Sequence, residues 1–118
     1  MLTRAIGSLQ RSDFREHPIR ALSLRAAWKV RWAVTREPWS LRLPTGQRIL
    51  VLKSGAGALI YYQGFSEPET ADFLLRFLGT GMCFLDVGAH IGEYSLLAAP
   101  IVGAAGSVHA FEPNPNFV

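Results

Sequence analysis

The alternation of apolar and polar positions divides the chain into helix-like and strand-like stretches. Residues 1 to 17 are polar and basic without clear periodicity, whereas Pro18 opens a stretch from Ile19 to Thr35 that fits a helix. Its apolar residues form two stripes on roughly opposite sides, namely Ile19, Leu22, Ala26, Val30 and Ala33 on one and Leu24, Trp28 and Trp32 on the other. Two stripes predict a helix that contacts two surfaces.

Two strand-like runs follow this helix. Trp39 to Leu43 and Arg48 to Lys53 flank Pro44-Thr45-Gly46-Gln47, which has the chemistry of a turn, and together they predict a β-hairpin. The next segment, Gly55-Ala56-Gly57-Ala58, predicts a flexible turn. It leads to another short apolar run, Leu59 to Tyr62.

A second helix is predicted to begin near Ser66. Ser66 can cap it, and Glu69 can reach back as the partner in a capping box. Four apolar residues are expected to face inward, with Phe73 and Phe77 beside them: Ala71, Leu74, Leu75 and Leu78. Asp72 and Arg76 should form an exposed i,i+4 ion pair.

The run from Met82 to Asp86 predicts a parallel strand. It is apolar on both faces, so we expect a central, buried strand in which Cys83 behaves as a small hydrophobic residue. A helix is predicted from Glu93 to Ala99, where Pro100 should kink or stop it. Ser107 to Glu112 predicts the next parallel strand.

The junction between the first of these strands and its helix has the chemistry of a nucleotide site. Gly88 allows a sharp turn and leaves bare backbone for a ligand, and Gly92 allows the helix to start close to the strand. Glu112, at the carboxyl end of the next strand, can accept hydrogen bonds from both hydroxyls of a ribose. These residues predict an adenosine pocket.

The spacing of the glycines indicates which cofactor the pocket takes. A dinucleotide fingerprint has a middle glycine that lets a pyrophosphate approach the backbone, and His90 stands at that position here. The pattern D-x-G-x-x-x-G from Asp86 to Gly92 is similar instead to motif I of class I S-adenosylmethionine-dependent methyltransferases. That cofactor has a ribose but no pyrophosphate, so a side chain at position 90 is acceptable.

Length and composition fit one small globular domain. The chain has 118 residues, 49% of them hydrophobic, and a mean hydropathy of +0.18. The nucleotide pattern begins only at residue 82, and a doubly wound sheet needs more strands than follow it, so we expect the first part of a longer domain. A single cysteine excludes an internal disulfide, and no run of about 18 apolar residues predicts a membrane span.

The localisation and metal predictions follow from what the sequence lacks. Without a signal-peptide pattern, a cytoplasmic enzyme is the default expectation. His17 and His109 have no suitably spaced Cys, His or acidic partners, so no metal site is predicted.

Charge is distributed unevenly along the chain. Residues 1–37 carry eight Lys or Arg against three acids, a net charge of +5, whereas residues 54–118 carry one cation against six acids, a net charge of −5. The basic helix could be a membrane-surface or nucleic-acid helix, or a helix that packs on the rest of the domain. We favour packing, because a membrane helix needs one continuous apolar face and nucleic-acid binding needs one basic face.

Two segments resemble the FkbM family of methyltransferases: Phe84 to Ser95, and Val108 to Pro115. The upstream Gly64 to Glu69 is similar to the segment before motif I in that family. The resemblance implies a Rossmann-like class I methyltransferase fold, of the α/β class, with only its first part present. It divides the chain into a basic N-terminal helical extension, residues 1–37, and the first part of a methyltransferase domain, residues 38–118.

The resemblance also implies roles for individual residues. Asp86, Gly88 and Gly92, with Ala89 and His90 between them, would shape the loop around the methionine end of S-adenosylmethionine, and Glu112 would bind its ribose. Glu67 is a further candidate for the same pocket. The family usually has Asn where His90 stands, and a helical residue where Pro100 stands.

The predicted function is transfer of a methyl group from S-adenosylmethionine to a hydroxyl of a small molecule or glycan, with no nucleic-acid partner. No catalytic residue is assigned, because any general base would lie on strands or loops beyond this sequence. Three alternatives stay open. They are an inactive remnant that lacks the substrate half, a nicotinamide-dependent oxidoreductase, which the missing middle glycine disfavours, and a binding module built on the basic helix.

Overall fold

The protein is a mixed α/β structure. The computed structural model describes residues 16–117, which contain four helices and two two-stranded sheets. In chain order the elements are α1 (Pro18–Val34), β1 (Trp39–Arg42), β2 (Arg48–Val51), α2 (Gly55–Gln63), α3 (Pro68–Phe77), β3 (Cys83–Val87), α4 (Glu93–Val102) and β4 (Ser107–Phe111).

Helix α1 begins at Pro18, which confirms the first predicted helix. Its buried residues are Ala21, Trp28 and Trp32. The opposite stripe is exposed, with Ile19 83% and Val30 62% accessible. Among the described residues, α1 therefore packs through one stripe, and the expectation of two contacted surfaces is not met.

The predicted β-hairpin is confirmed. Strands β1 and β2 pair antiparallel from Trp39 opposite Val51 to Arg42 opposite Arg48. The turn closes through two backbone hydrogen bonds of 2.8 Å, from the Leu43 N–H to the Gln47 carbonyl and from the Gly46 N–H to the Leu43 carbonyl. Ile49 and Val51 point into the core, as the period of two along a strand requires.

The predicted turn at residues 55–58 is wrong, because these residues begin helix α2, which also contains the short apolar run that follows them. The Ser54 hydroxyl accepts a 3.0 Å hydrogen bond from the Gly57 N–H and caps the helix. Gly57 also packs closely, since a Cβ there would lie 2.7 Å from the Leu52 carbonyl oxygen. A local cap and the burial of Ile60 outweigh the low helix propensity of glycine.

The start of helix α3 differs from the predicted capping box. The helix begins at Pro68 with Glu67 as its N-cap residue, and no side chain caps it. Ser66 donates its hydroxyl and its backbone N–H to Glu93 instead, over distances of 2.5 and 2.7 Å. A tertiary partner has replaced the local one.

The two faces of α3 follow the prediction in part. Ala71 and Leu74 are buried, and Asp72 and Arg76 form the expected ion pair at 2.7 Å. Three predicted inward or neighbouring residues are instead exposed: Phe73, Leu75 and Phe77.

Strands β3 and β4 are parallel and are connected through α4, as predicted. Their register runs from Cys83 opposite Ser107 to Val87 opposite Phe111. Helix α4 contacts both strands and buries Leu97, Ala98 and Val102. The loops after the two strands therefore lie at the same edge of the sheet.

The expected burial of β3 on both faces is wrong. Leu85 is 60% and Val87 82% accessible, and Cys83 is exposed. Within residues 16–117 this sheet has only two strands, and α4 is the helix that packs against it. The apolar sequence of β3 is typical of a strand that is covered on both faces, whereas one face of the described sheet is exposed.

Pro100 was expected to kink or stop α4, and the stop is wrong. The helix continues to Val102, and the N–H of Gly103 then donates to the Ala99 carbonyl at 3.1 Å. Proline removes only the bond that residue 100 would donate to Leu96, and it does so in the last turn of the helix. Gly103, with a φ of 66°, ends the helix.

One hydrophobic core joins the two parts of the chain. Trp28 contacts four aromatic rings at centroid distances of 5.4 to 6.2 Å: Trp32, Trp39, Tyr61 and Tyr62. The same cluster extends through Ile49, Ala71 and Leu97, so α1, the hairpin and the later helices share a core.

Candidate functional site

The loop between β3 and α4 has an unusual backbone. Gly88, His90 and Gly92 have φ angles of 84°, 52° and 78°, in the region that glycine adopts most readily. The N–H groups of Gly88 and Ala89 both donate to the Phe111 carbonyl, at 2.7 and 3.0 Å. These two bonds hold the loop against the end of β4.

The two glycines of this loop are needed for their conformation. A Cβ built at either Gly88 or Gly92 meets no atom within 4 Å. The predicted reason for Gly92, close packing of helix on strand, is therefore wrong, and its left-handed backbone is the actual requirement. At Gly88 the open space leaves bare backbone accessible, as predicted.

The Glu112 carboxylate holds this loop from the neighbouring strand. One oxygen accepts a hydrogen bond from the His90 N–H and the other from the Asn114 N–H, each at 2.8 Å. The two bonds, led by the one from Asn114, lower the pKa of Glu112 by stabilising the charged form. Each carboxylate oxygen keeps a second lone pair for a further hydrogen bond.

These residues line a single cleft of about 660 Å³ at the carboxyl ends of β3 and β4. Five of the seven predicted site residues lie in its wall: Gly88, Ala89, His90, Gly92 and Glu112. Both the size and the largely apolar wall are typical of small-molecule sites in proteins.

Phe117 forms part of the same wall and was not predicted. Its ring lies 3.9 Å from the His90 ring, centroid to centroid, at an angle of 45°. A turn brings it back to the cleft, because the Phe117 N–H donates to the Asn114 carbonyl at 3.1 Å. The turn-forming Asn114-Pro115-Asn116 was the sequence signal for this return.

Asp86, in contrast, faces away from the cleft. It is 8% accessible, and one of its oxygens accepts a 2.6 Å hydrogen bond from the Ser95 hydroxyl. Asp86 thereby ties the end of β3 to the first turns of α4. Its observed contacts give it a structural role beneath the loop.

Glu67 also lies outside the cleft wall. As the N-cap residue of α3 it accepts a 3.0 Å hydrogen bond from the Thr70 hydroxyl. Glu67 therefore does not share the cleft wall with Glu112.

A smaller cavity of about 190 Å³ lies beside the same loop, lined also by Ala56, Ser66, Glu93 and Tyr94. Glu93 is only 5% accessible, and Ser66 satisfies both of its carboxylate oxygens. Burial raises the pKa of Tyr94, because the phenolate loses solvation. The pairing of Ser66 with Glu93 spans 27 positions, so the sequence did not indicate it.

Two other kinds of site find no support in the described part of the chain. Residues 16–117 contain no group of three or more His, Cys, Asp or Glu side chains placed to hold a metal ion. None of their helices is both long enough and apolar enough to cross a membrane.

The structure thus places a largely apolar cleft at the carboxyl ends of two parallel strands. No family model, curated protein or solved structure matches the chain.

Proposed function

We propose that the cleft binds S-adenosylmethionine, and that the chain forms the cofactor-binding part of a Rossmann-like methyltransferase that acts on a hydroxyl oxygen. The observation that carries the proposal is that Gly88 and Glu112 line one cleft. Bare backbone on one strand end and a carboxylate on the next are the two features that an adenosine ligand needs.

The carboxylate of Glu112 supports recognition of a ribose. The two vicinal hydroxyls of a ribose can donate hydrogen bonds, and the two oxygens of an ionised carboxylate can accept one from each. A glutamate is ionised at neutral pH, and the hydrogen bonds to Glu112 lower its pKa further. Its existing bonds to the His90 and Asn114 N–H groups fix the carboxylate before a ligand arrives, which reduces the entropy lost on binding.

His90 supports a ligand without a pyrophosphate. In a dinucleotide site this position is glycine, so that phosphate groups can reach the backbone. Here the backbone carries an imidazole that packs on Phe117 inside the cleft. A nucleoside linked to an amino acid fits this wall better than a dinucleotide.

The roles of the residues follow from this assignment. When bound, the cofactor supplies an activated methyl group on a sulfonium, so the protein has mainly to align donor and acceptor and to exclude water. Glu112 would orient the ribose, and the loop from Gly88 to Gly92 would hold the amino-acid end. No general base is assigned among the described residues.

Isothermal titration of the 118-residue protein tests the proposal. We expect binding of S-adenosylmethionine, and a dissociation constant at least about tenfold higher in Glu112→Gln, because the neutral amide is a weaker acceptor than an ionised carboxylate. Glu69→Gln, an exposed acid on α3, is the matched control and should leave the affinity unchanged.

Three results would count against the assignment. They are no binding at millimolar cofactor, equal affinities in Glu112→Gln and the parent protein, and tighter binding of NAD than of S-adenosylmethionine. The last result would favour the nicotinamide-dependent alternative.

A further inference from the structure

Helix α1 exposes a long apolar stripe. Four large side chains along it are 58% to 83% accessible: Ile19, Leu22, Val30 and Val34. At about 100° per residue they fall within an arc of about 120°, which is the width of a normal buried helix face. The opposite side of the helix is already packed through Trp28 and Trp32.

Positive charge borders the stripe. Helix α1 contains four cations and no acid. Arg20 and Lys29 are exposed and lie on either side of the stripe. Arg25 and Arg31 pack instead over the rings of Tyr62 and of Trp32 and Trp39, at 4.8 to 5.5 Å.

The surrounding chain strengthens this positive charge. Residues 16–53 carry eight Lys or Arg and two acids, a net charge of +6, whereas residues 54–117 carry a net charge of −5. The two parts share a core, so one body has a cationic part and an anionic part. The cationic part is the one that carries the exposed stripe.

We propose that α1 docks the protein on the surface of an anionic phospholipid bilayer. The helix would lie in the plane of the interface, with its apolar stripe at the depth of the headgroups and with Arg20 and Lys29 on the lipid phosphates. An apolar stripe bordered by cations and free of acids is the pattern of such helices. Nucleic acid fits less well, since the centre of the exposed face is apolar rather than basic.

Co-sedimentation of the full chain with vesicles tests this proposal. We expect binding to vesicles of equal parts phosphatidylserine and phosphatidylcholine, and much weaker binding to phosphatidylcholine alone. Binding should fall as salt shortens the Debye length from about 30 Å at 0.01 M to about 3 Å at 1 M. The double variant Arg20→Gln, Lys29→Gln should lose about fivefold in partition for each cation removed.

The apolar contribution has its own variant and control. Leu22→Gln combined with Val30→Gln should reduce binding to the mixed vesicles by at least about tenfold. Phe77→Gln changes a side chain that is 62% accessible, like Val30, but lies on the anionic part, and it should bind as the parent does. Circular dichroism checks that each variant is folded.

Several outcomes would overturn the proposal. Equal binding to both kinds of vesicle would show that anionic lipid is not what the protein recognises. Binding that neither double variant weakens would show that α1 is not the contact. A dimer that dissociates in the Leu22, Val30 variant, without vesicle binding in the parent, would show that a second copy covers the stripe. Binding to duplex DNA without binding to vesicles would assign the basic surface to nucleic acid.

Discussion

At the scale of single residues, Gly88 has two separable roles. Its backbone has a φ of 84°, and its missing side chain leaves space in the cleft. Gly81 has the same φ of 84° but lies in the turn before β3, outside the cleft wall. The pair therefore distinguishes backbone strain from loss of ligand space.

We expect Gly88→Ala and Gly81→Ala each to lower the free energy of unfolding by about 1 to 2 kcal/mol, because alanine is strained in this region. Only Gly88→Ala should also weaken binding of S-adenosylmethionine, since its methyl group would project into the cleft. Urea unfolding and isothermal titration measure the two effects. Equal losses of affinity in both variants would mean that strain alone is responsible.

The Glu112 carboxylate predicts a dependence of stability on pH. Its pKa is lower in the folded protein than in the unfolded chain, where a glutamate titrates near about 4.3. The stabilisation from Glu112 is therefore fully present above that value and is lost as the pH falls through the folded-state pKa.

Two measurements check this sign. NMR titration of the Glu112 carboxyl carbon should give a midpoint below that of a free glutamate. The stability difference between the parent and Glu112→Gln should be constant near neutral pH and should shrink in acid. A midpoint at or above the usual value would contradict the hydrogen bonds to His90 and Asn114.

At the scale of elements, the chain tolerates a proline inside a helix. Pro100 lies in the last turn of α4, with its side chain exposed, and the helix continues past it. The cost is the missing hydrogen bond to Leu96 and the contact of the ring with the preceding turn.

Pro100→Ala should therefore raise the free energy of unfolding by about 1 to 3 kcal/mol. A higher midpoint in urea at an unchanged slope is the expected signal. Pro115→Ala is a suitable control, because Pro115 lies in a turn that favours proline and its replacement should give no gain. A loss of stability in Pro100→Ala would show that the ring contributes packing.

Sequence reasoning succeeded where an element depends on its own residues. Pro18 and helical periodicity gave α1, turn chemistry gave the hairpin, and the order of apolar run, glycines and helix gave the parallel pair. It failed at α2, because glycine has a low helix propensity and the burial of Ile60 depends on the rest of the fold, although the Ser54 cap was a local signal for this helix. Its reading of β3 as buried on both faces also failed, because burial depends on which neighbours are present.

The candidate site shows the same division. The shared cleft of Gly88 and Glu112 could be predicted, since parallel strands end at one edge of a sheet. The hydrogen-bond partners of Asp86 and Glu93 could not be predicted. Serine is common on protein surfaces, and the pairing of these acids with Ser95 and Ser66 appears only in the folded chain. The return of Phe117 over His90 likewise required a three-dimensional turn.

At the scale of the whole molecule, charge and cleft lie in different parts of one body. The anionic part carries the cleft, and the cationic part carries the exposed stripe of α1. The shared aromatic core fixes one relative to the other. If α1 lies on a membrane as proposed, the shared core holds the cleft at one orientation to the lipid surface.

The open face of the β3 and β4 sheet also contains Cys83, the one thiol of the chain. A fluorescent maleimide would thus label the protein at this one residue without any engineered mutation. The rate of labelling would measure how accessible that face is. Any molecule that covers the sheet would slow the labelling, and the decrease in rate would report the fraction of the protein that is covered.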